Sequence, residues 1–428
     1  MLTIQLENQL ACYSGHEHLR GCVVYHCPNP IDIQEIRVSF YGRAKAKVQK
    51  VKGAAAPAAT YRSKCILFQE EKTLAAPNGG QLARNTYEWP FEFTFPSQVE
   101  SPAKWPEKAP FRSDEHHPLP PSFAVDVGDS QRKLHCVIEY RIEVQMFKPQ
   151  KNFLSKKAPL YTEALRVNFL PLAAQWEPTD HADKLSRKHK DEVFTVRSLL
   201  LLPENRGRSL KVGEKFQSWL SKKQLPQFDF KASFVYSTRV LQGAPVTCLL
   251  DIIPCTDGSS MPFPGITLQS VSIAVMSRTS ARASQALRGS MTGEVDDRLE
   301  ILSKSSLGMP VLGQLDLNET FGPLIFRHSE VSFSTFTISR SYRLCASFTF
   351  ECVGKTFEFH ANDLEFFIVS DVVSPTVQMT PMEQGTAITG VFELADTASR
   401  RSSSDEYDEL PPRYSMAALS SEKPPTKN

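Results

Sequence analysis

The chain predicts an all-β protein: two tandem antiparallel β-sandwiches followed by a disordered C-terminal tail. Three observations lead there. Period-two alternation of apolar and polar residues runs through both halves of the first 370 residues, stretches with helical spacing are few, and Ser, Thr, Pro and carboxylates replace apolar residues from Asp371 onward. Side chains of a strand point alternately to its two faces, so such alternation marks a sheet with one buried and one wet face. Many short strands of this kind argue for packed antiparallel sheets.

The elements follow in order. Ile36, Val38 and Phe40 alternate with Arg37 and Ser39, and Phe91–Phe95 reads as a further strand. From Leu134 to Met146 one face carries Leu134, Cys136, Ile138, Tyr140, Ile142, Val144 and Met146, while the other carries Val137, Glu139, Arg141 and Glu143. The polar run Pro171–Glu192 then breaks the pattern. Beyond it, strands are expected at Phe230–Tyr236, Val246–Ile253, Ile266–Ser277, Val331–Ile338 and Leu364–Val369, with Tyr342, Leu344, Ala346, Phe348 and Phe350 forming one face of another. Asn78-Gly79-Gly80 and Asp257-Gly258 are turn signals. Gly53–Ala59, Ser101–Pro121 and Ser280–Pro310 read as long loops. Short helices are expected at Glu214–Lys223 and Asp180–Glu192.

A chain of 428 residues accommodates two domains and a tail. The expected division is an N-terminal sandwich at 1–170, a hinge at 171–190, a C-terminal sandwich at 191–370 and a tail at 371–428. The formal charge of +2 separates into 22 basic minus 17 acidic residues (+5) for 1–170, 22 minus 21 (+1) for 171–370, and 5 minus 9 (−4) for the tail. That balance is too weak for a nucleic-acid binder, which needs a strongly basic face. Nine scattered cysteines and an N-terminus without a signal-peptide pattern fit a reducing cytoplasm. No apolar run approaches the ~20 residues of a spanning helix, so any membrane association is expected to be peripheral and through partners.

No G-x-S-x-G, H-E-x-x-H, Walker or Rossmann pattern occurs. The expectation is a protein that is not an enzyme and uses no cofactor. His16, His18, Cys22, His26 and Cys27 lack a C-x-x-C partner pair and are read as strand and loop residues, with no metal expected. Arg43, Lys45 and Lys47, interleaved with Ala44 and Ala46, present three cations on one face of a strand. The plain reading is a solvated sheet edge that discourages aggregation. The sharper one is a basic surface for an acidic or phosphorylated cargo tail.

In the tail, Pro411-Pro412-Arg413-Tyr414 spells P-P-x-Y, the ligand of WW domains. The two prolines pre-set an extended polyproline conformation that loses little entropy on docking, and Tyr414 supplies a second anchor. Ser402, Ser403 and Ser404, between Arg400-Arg401 and Asp405-Glu406, are candidate phosphorylation sites that would add negative charge beside the motif. Ala158-Pro159-Leu160-Tyr161 lacks the leading residue of such a motif and is assigned to the core of a strand.

The run Ser14-Gly15, Arg20-Gly21-Cys22-Val23-Val24 and Ile33 to Gly42 resembles the opening of an arrestin N-domain. Tyr87 to Phe93, Leu119-Pro120-Pro121-Ser122-Phe123 and Val137 to Ile142 resemble that family's F-x-F strand, L-P-P-S-F turn and Y-x-I/V strand, in order. In the second half the best local likeness is Val246 to Leu250. An arrestin fold with a P-P-x-Y tail looks like the α-arrestins, the trafficking adaptors prominent in fungi, although here the tail is short and carries a single clear motif. The resemblance implies an adaptor: the sandwiches recognise the cytosolic tail of a membrane transporter or receptor, and Pro411, Pro412 and Tyr414 recruit a WW-domain HECT ubiquitin ligase. Cargo is then ubiquitinated and endocytosed, with the adaptor drawn to the plasma membrane or endosomes. The alternative is a ubiquitin-independent sorting or signalling scaffold on the same fold.

Overall fold

The computed structural model describes residues 1–7, 10, 12–51, 59–76, 80–100, 105–149, 158–171, 187–205, 225–255, 263–285, 289–311, 313–326 and 330–370. In the N-terminal half these form β1 (Leu2–Leu6), β2 (His18–Cys27), β3 (Ile31–Asp32), β4 (Glu35–Lys50), β5 (Ala59–Ala75), β6 (Gln81–Leu82), β7 (Asn85–Thr94), β8 (Phe123–Gly128), β9 (Arg132–Phe147) and β10 (Pro159–Val167). One sheet has the order β1-β2-β7. The other runs β10-β9-β4-β5, with β8 beside β10 on the same edge of β9, and β3 pairs β6 separately. The predicted alternation of β9 holds: all seven residues from Leu134 to Met146 on its apolar face are buried. They meet Phe91, Phe93 and Phe95 across the sandwich.

The family-like motifs have physical reasons. A Cβ at Gly42 would lie 2.7 Å from Tyr140 and 2.8 Å from Phe68, so the two rings that flank it exclude any side chain there. The Tyr140 hydroxyl donates to the Pro120 carbonyl, and Ser122 trades bonds with Phe169, its N–H to the Phe169 carbonyl (2.8 Å) and its Oγ from the Phe169 N–H (2.9 Å). The Leu-Pro-Pro-Ser-Phe turn thereby pins the entry of β8 to the segment that leaves the sandwich.

The C-terminal half contains β11 (Arg187–Arg197), β12 (Gln227–Ser237), β13 (Arg239–Leu241), β14 (Cys248–Pro254), β15 (Ile266–Gln285), β16 (Gly289–Lys304), β17 (Met309–Pro310), β18 (Gly313–Asp316), α1 (Leu317–Phe321), β19 (Phe333–Ser334), β20 (Ile338–Cys352) and β21 (Lys355–Val369). Sheet β11-β12-β14-β18 faces sheet β13-β21-β20-β15-β16, on which β17 and β19 pair with β15 and β20. A second core lies between them, built on Phe230, Phe234, Phe348, Phe350 and Phe359. Helix α1 is a single short turn capped by the Asp316 carboxylate, which accepts from the Asn318 and Glu319 N–H groups.

Several expectations are corrected. Ser280–Pro310 is not a loop: its larger part lies in the β15–β16 hairpin, paired from Val271↔Lys304 to Gln285↔Gly289. The run looked like a loop because its Ser, Arg and Asp residues are polar. Their backbone groups are satisfied by the ladder, however, and Ala281 and Ala283 are buried. Twenty residues of β15 span roughly 65 Å, more than one sandwich needs. The far end crosses to the N-terminal core, where Ala281, Ala283, Val295, Phe333, Phe336 and Ile338 pack.

The expected helix Asp180–Glu192 is also wrong where it is described, since 187–192 begins β11 and takes four residues of the expected hinge. An edge strand exposed on both faces shows no alternation to read. Val331–Ile338 is strand only at 333–334 and again from 338, because the chain turns to wrap the loop around residue 117. The core assignment of Tyr161 fails as well: it lies on β10, an edge strand, and is 44% exposed. The expected helix Glu214–Lys223, most of the hinge, the Asp257-Gly258 turn and the whole tail lie outside the described residues. No described helix is long and apolar enough to cross a membrane.

Candidate functional site

Strand β4 carries Tyr41, Arg43, Lys45 and Lys47 on the face opposite its buried Ala44, Ala46 and Val48. It lies inside its sheet, between β9 and β5, so these cations do not guard an edge and that reading falls. Register decides what they meet instead. Arg43 stands directly opposite Glu139 of β9, and Arg141 of β9 stands opposite Arg166 of β10.

Glu139 is the centre of the arrangement. Its Oε1 takes Arg43 Nε at 2.5 Å and Lys45 Nζ at 3.0 Å, and its Oε2 takes Arg141 Nη2 at 2.7 Å and Arg166 Nη2 at 3.0 Å. The carboxylate is buried, its side chain only 2% exposed. Burial by itself would raise its pKa. The positive charge of Arg43, the hydrogen bonds from Lys45 and Arg43 and the charge of Lys45 together outweigh burial and hold the carboxyl down at about 2. For Lys45 burial is the larger effect, so its pKa is lowered despite the Glu139 partner. Tyr41 lies beneath the Arg43 guanidinium, 5.3 Å from ring to Cζ, and its hydroxyl donates to Glu143 Oε2 at 2.8 Å. Burial, then that bond, raises its pKa and keeps the phenol protonated.

Charge does not balance here. Four cations surround one carboxylate, and the row continues onto β5, where exposed Lys64 stands opposite Lys45 and exposed Arg62 opposite Lys47. Directly opposed residues share a face, so Lys45–Lys64, Lys47–Arg62 and Arg141–Arg166 are three like-charge cross-strand pairs on one side of one sheet. Arg43 is 4% exposed and is held by Glu139. Arg166, with its side chain 58% exposed, and Lys64 and Arg62 are the cations presented to solvent.

The sequence singled out Arg43, Lys45 and Lys47, and the structure places them together. Glu139, Arg141, Arg166, Arg62 and Lys64 were missed as members. The outward face of β9 was legible in the alternation, but strand register, which sets Arg43 against Glu139, is not written in either strand alone.

The other candidates separate. His18 and His26 sit at opposite ends of β2, about 26 Å apart at strand rise. His18 lies against Glu92 (3.0 Å) and His26 against Thr86 (3.1 Å), while the buried Cys27 thiol donates to the Asn29 carbonyl at 3.0 Å. Among the described residues no group of three or more His, Cys, Asp or Glu could hold a metal ion. Pro411, Pro412 and Tyr414, and Ser402, Ser403 and Ser404, lie outside the described residues.

Comparison with known proteins places the first of the two sandwiches. Residues 2–162 match the family model of the arrestin (or S-antigen) N-terminal domain, a span that holds β1 to β9 and the start of β10. That stretch of the chain is therefore similar to the arrestin N-terminal domain. A comparison with curated proteins gives no match.

Proposed function

We propose, from an arrestin N-terminal domain joined to a P-P-x-Y tail, that this protein is an α-arrestin adaptor. Its cationic sheet face receives an acidic cytosolic tail of a membrane transporter or receptor. Pro411, Pro412 and Tyr414 dock a WW-domain HECT-type ubiquitin ligase, so that cargo is ubiquitinated and endocytosed. The adaptor itself carries out no chemistry. It works in the cytoplasm and meets the plasma membrane or endosomes through its partners, and phosphorylation at Ser402, Ser403 and Ser404 tunes ligase docking.

The tail motif carries the ligase half of the reading, and the set of three opposed like-charge pairs carries the cargo half. Like charges directly across a sheet are destabilising; Glu139 offsets this for Arg141 and Arg166, and the Lys45–Lys64 and Lys47–Arg62 pairs extend the positive face beyond it. An anionic ligand would relieve the repulsion, and clustered cations attract such a ligand from a distance. Extending across β5, β4, β9 and β10, the row suits an extended segment with several negative charges.

Charge reversal at exposed positions tests the cargo half. In Lys64→Glu/Arg166→Glu, binding of an acidic peptide in low salt, measured by fluorescence anisotropy, should fall at least about tenfold, since two lost ion pairs with a charged ligand are worth more than ~1.4 kcal/mol. Unchanged affinity would remove the cationic face from the reading. A chain that binds no WW domain would leave the ubiquitin-independent scaffold as the surviving function.

A further inference from the structure

The junction between the sandwiches buries two basic side chains. Arg282, on the far part of β15, is 3% exposed. Its guanidinium donates to three carbonyls: Phe336 through Nε, Pro106 through Nη1 (2.7 Å) and Arg112 through Nη2 (3.2 Å). The rings of Trp105 and Phe111 lie 5.0 and 4.9 Å from its Cζ. The cation is therefore solvated by carbonyls and aromatic faces.

His117, 1% exposed, ends the same loop. Its Nδ1 lies 2.8 Å from the Asp114 carbonyl, and its Nε2 reaches across to Thr335 Oγ1 at 2.9 Å. The ring stands edge-on to Phe336 at 4.6 Å. A carbonyl can only accept, so Nδ1 carries the proton and Nε2 accepts from the Thr335 hydroxyl. The neutral imidazole thus satisfies both contacts without bringing a charge into the buried junction.

We propose that His117 makes the junction a proton-sensitive clasp: the neutral ring holds loop 105–117 on segment 333–337, and protonation at Nε2 releases it. A proton there turns the acceptor into a donor, so the Thr335 hydroxyl must rotate to accept, and it places a positive charge in a site 1% exposed. It also adds a second buried cation to a loop whose Pro106 and Arg112 carbonyls already serve Arg282. The charged groups that act on the ring, Asp114 and Arg112, both belong to its own loop and oppose each other. Segment 333–337 offers only Thr335 and Phe336, and β15 offers Arg282 to the neighbouring carbonyls; none is an acid. The clasp is also incompletely satisfied, since Thr337 Oγ1 is buried without a hydrogen-bond partner.

Burial, with Arg112 adding to it and Asp114 opposing, lowers the His117 pKa below its ordinary value. The closed state therefore binds fewer protons than the open one. Its stability is complete above about pH 6.5 and falls progressively as pH drops below that value.

Hydrogen exchange followed by mass spectrometry on the full chain tests this, at about pH 7.5 and about pH 5.5 with rates corrected for intrinsic exchange. Protection of 105–117 and 333–338 should fall several-fold at the lower pH, while β9 keeps its protection. In His117→Gln the pH dependence should vanish. No change in the wild type, or the same change in His117→Gln, overturns the clasp. If His117→Gln does not fold, the NMR titration of His117 in the wild type decides. A midpoint below about 6.5 with concurrent loss of protection supports the clasp, and a midpoint at or above it with protection intact contradicts it.

Discussion

Glu139 is one residue whose loss the N-terminal half cannot absorb. Its carboxylate neutralises Arg43 inside the sheet, where Arg43 is 4% exposed. Removing one partner of a buried pair leaves the other charge unsolvated, at a cost of about 3–5 kcal/mol. Glu139→Gln should therefore lower stability by about that much in urea denaturation, with the fold of β4 and β9 retained. A pKa held near 2 means that the contribution is complete above the ordinary carboxylate range and is lost as pH falls from about 4.5 through about 2. Acid unfolding should accordingly begin at higher pH in wild type than in a variant where Arg43 and Glu139 are replaced together by apolar residues of similar volume. Coincident acid transitions would show that another carboxylate dominates.

At the scale of elements, the β15–β16 hairpin joins the two cores. A Cβ at Gly293 would lie 2.6 Å from a Leu134 methyl and 3.0 Å from one of Val48, so this glycine lets β16 lie directly on the N-terminal sheet. Gly293→Val should force the hairpin away and cost about 1–3 kcal/mol by overpacking, read as a lower thermal midpoint. An unchanged midpoint would mean that the contact is loose. The same element shows where the sequence stops being legible. Leu134–Met146 announced its buried face because seven apolar residues alternate with polar ones. The far part of β15 gave no such signal, because both of its faces are buried there, Ala281 and Ala283 on one and Arg282 on the other. Likewise Arg43, Lys45 and Lys47 were visible as a cationic strand face, but Glu139 and Arg166 joined them only through register between strands distant in sequence.

For the whole molecule, the two halves read from the sequence are not self-sufficient. Phe333, Phe336, Ile338, Ala281, Ala283 and Val295 come from the second half and complete the first core. A fragment ending at residue 170 should expose that apolar surface, bind hydrophobic dye and give poorly dispersed NMR spectra; a well-dispersed, cooperative fragment would make the hairpin contact dispensable. The shared core also gives the His117 clasp its leverage, since loosening one loop changes how firmly the sandwiches hold each other.

The central claim, that an arrestin-type scaffold delivers cargo to a ubiquitin ligase, rests on the tail motif. The most direct measurement is a titration of the purified full chain and its Tyr414→Ala variant against WW domains of HECT ligases. The account predicts micromolar binding by the wild type, a Kd worth about 8 kcal/mol, lost in the variant. Equal binding by both, or none by either, would contradict it.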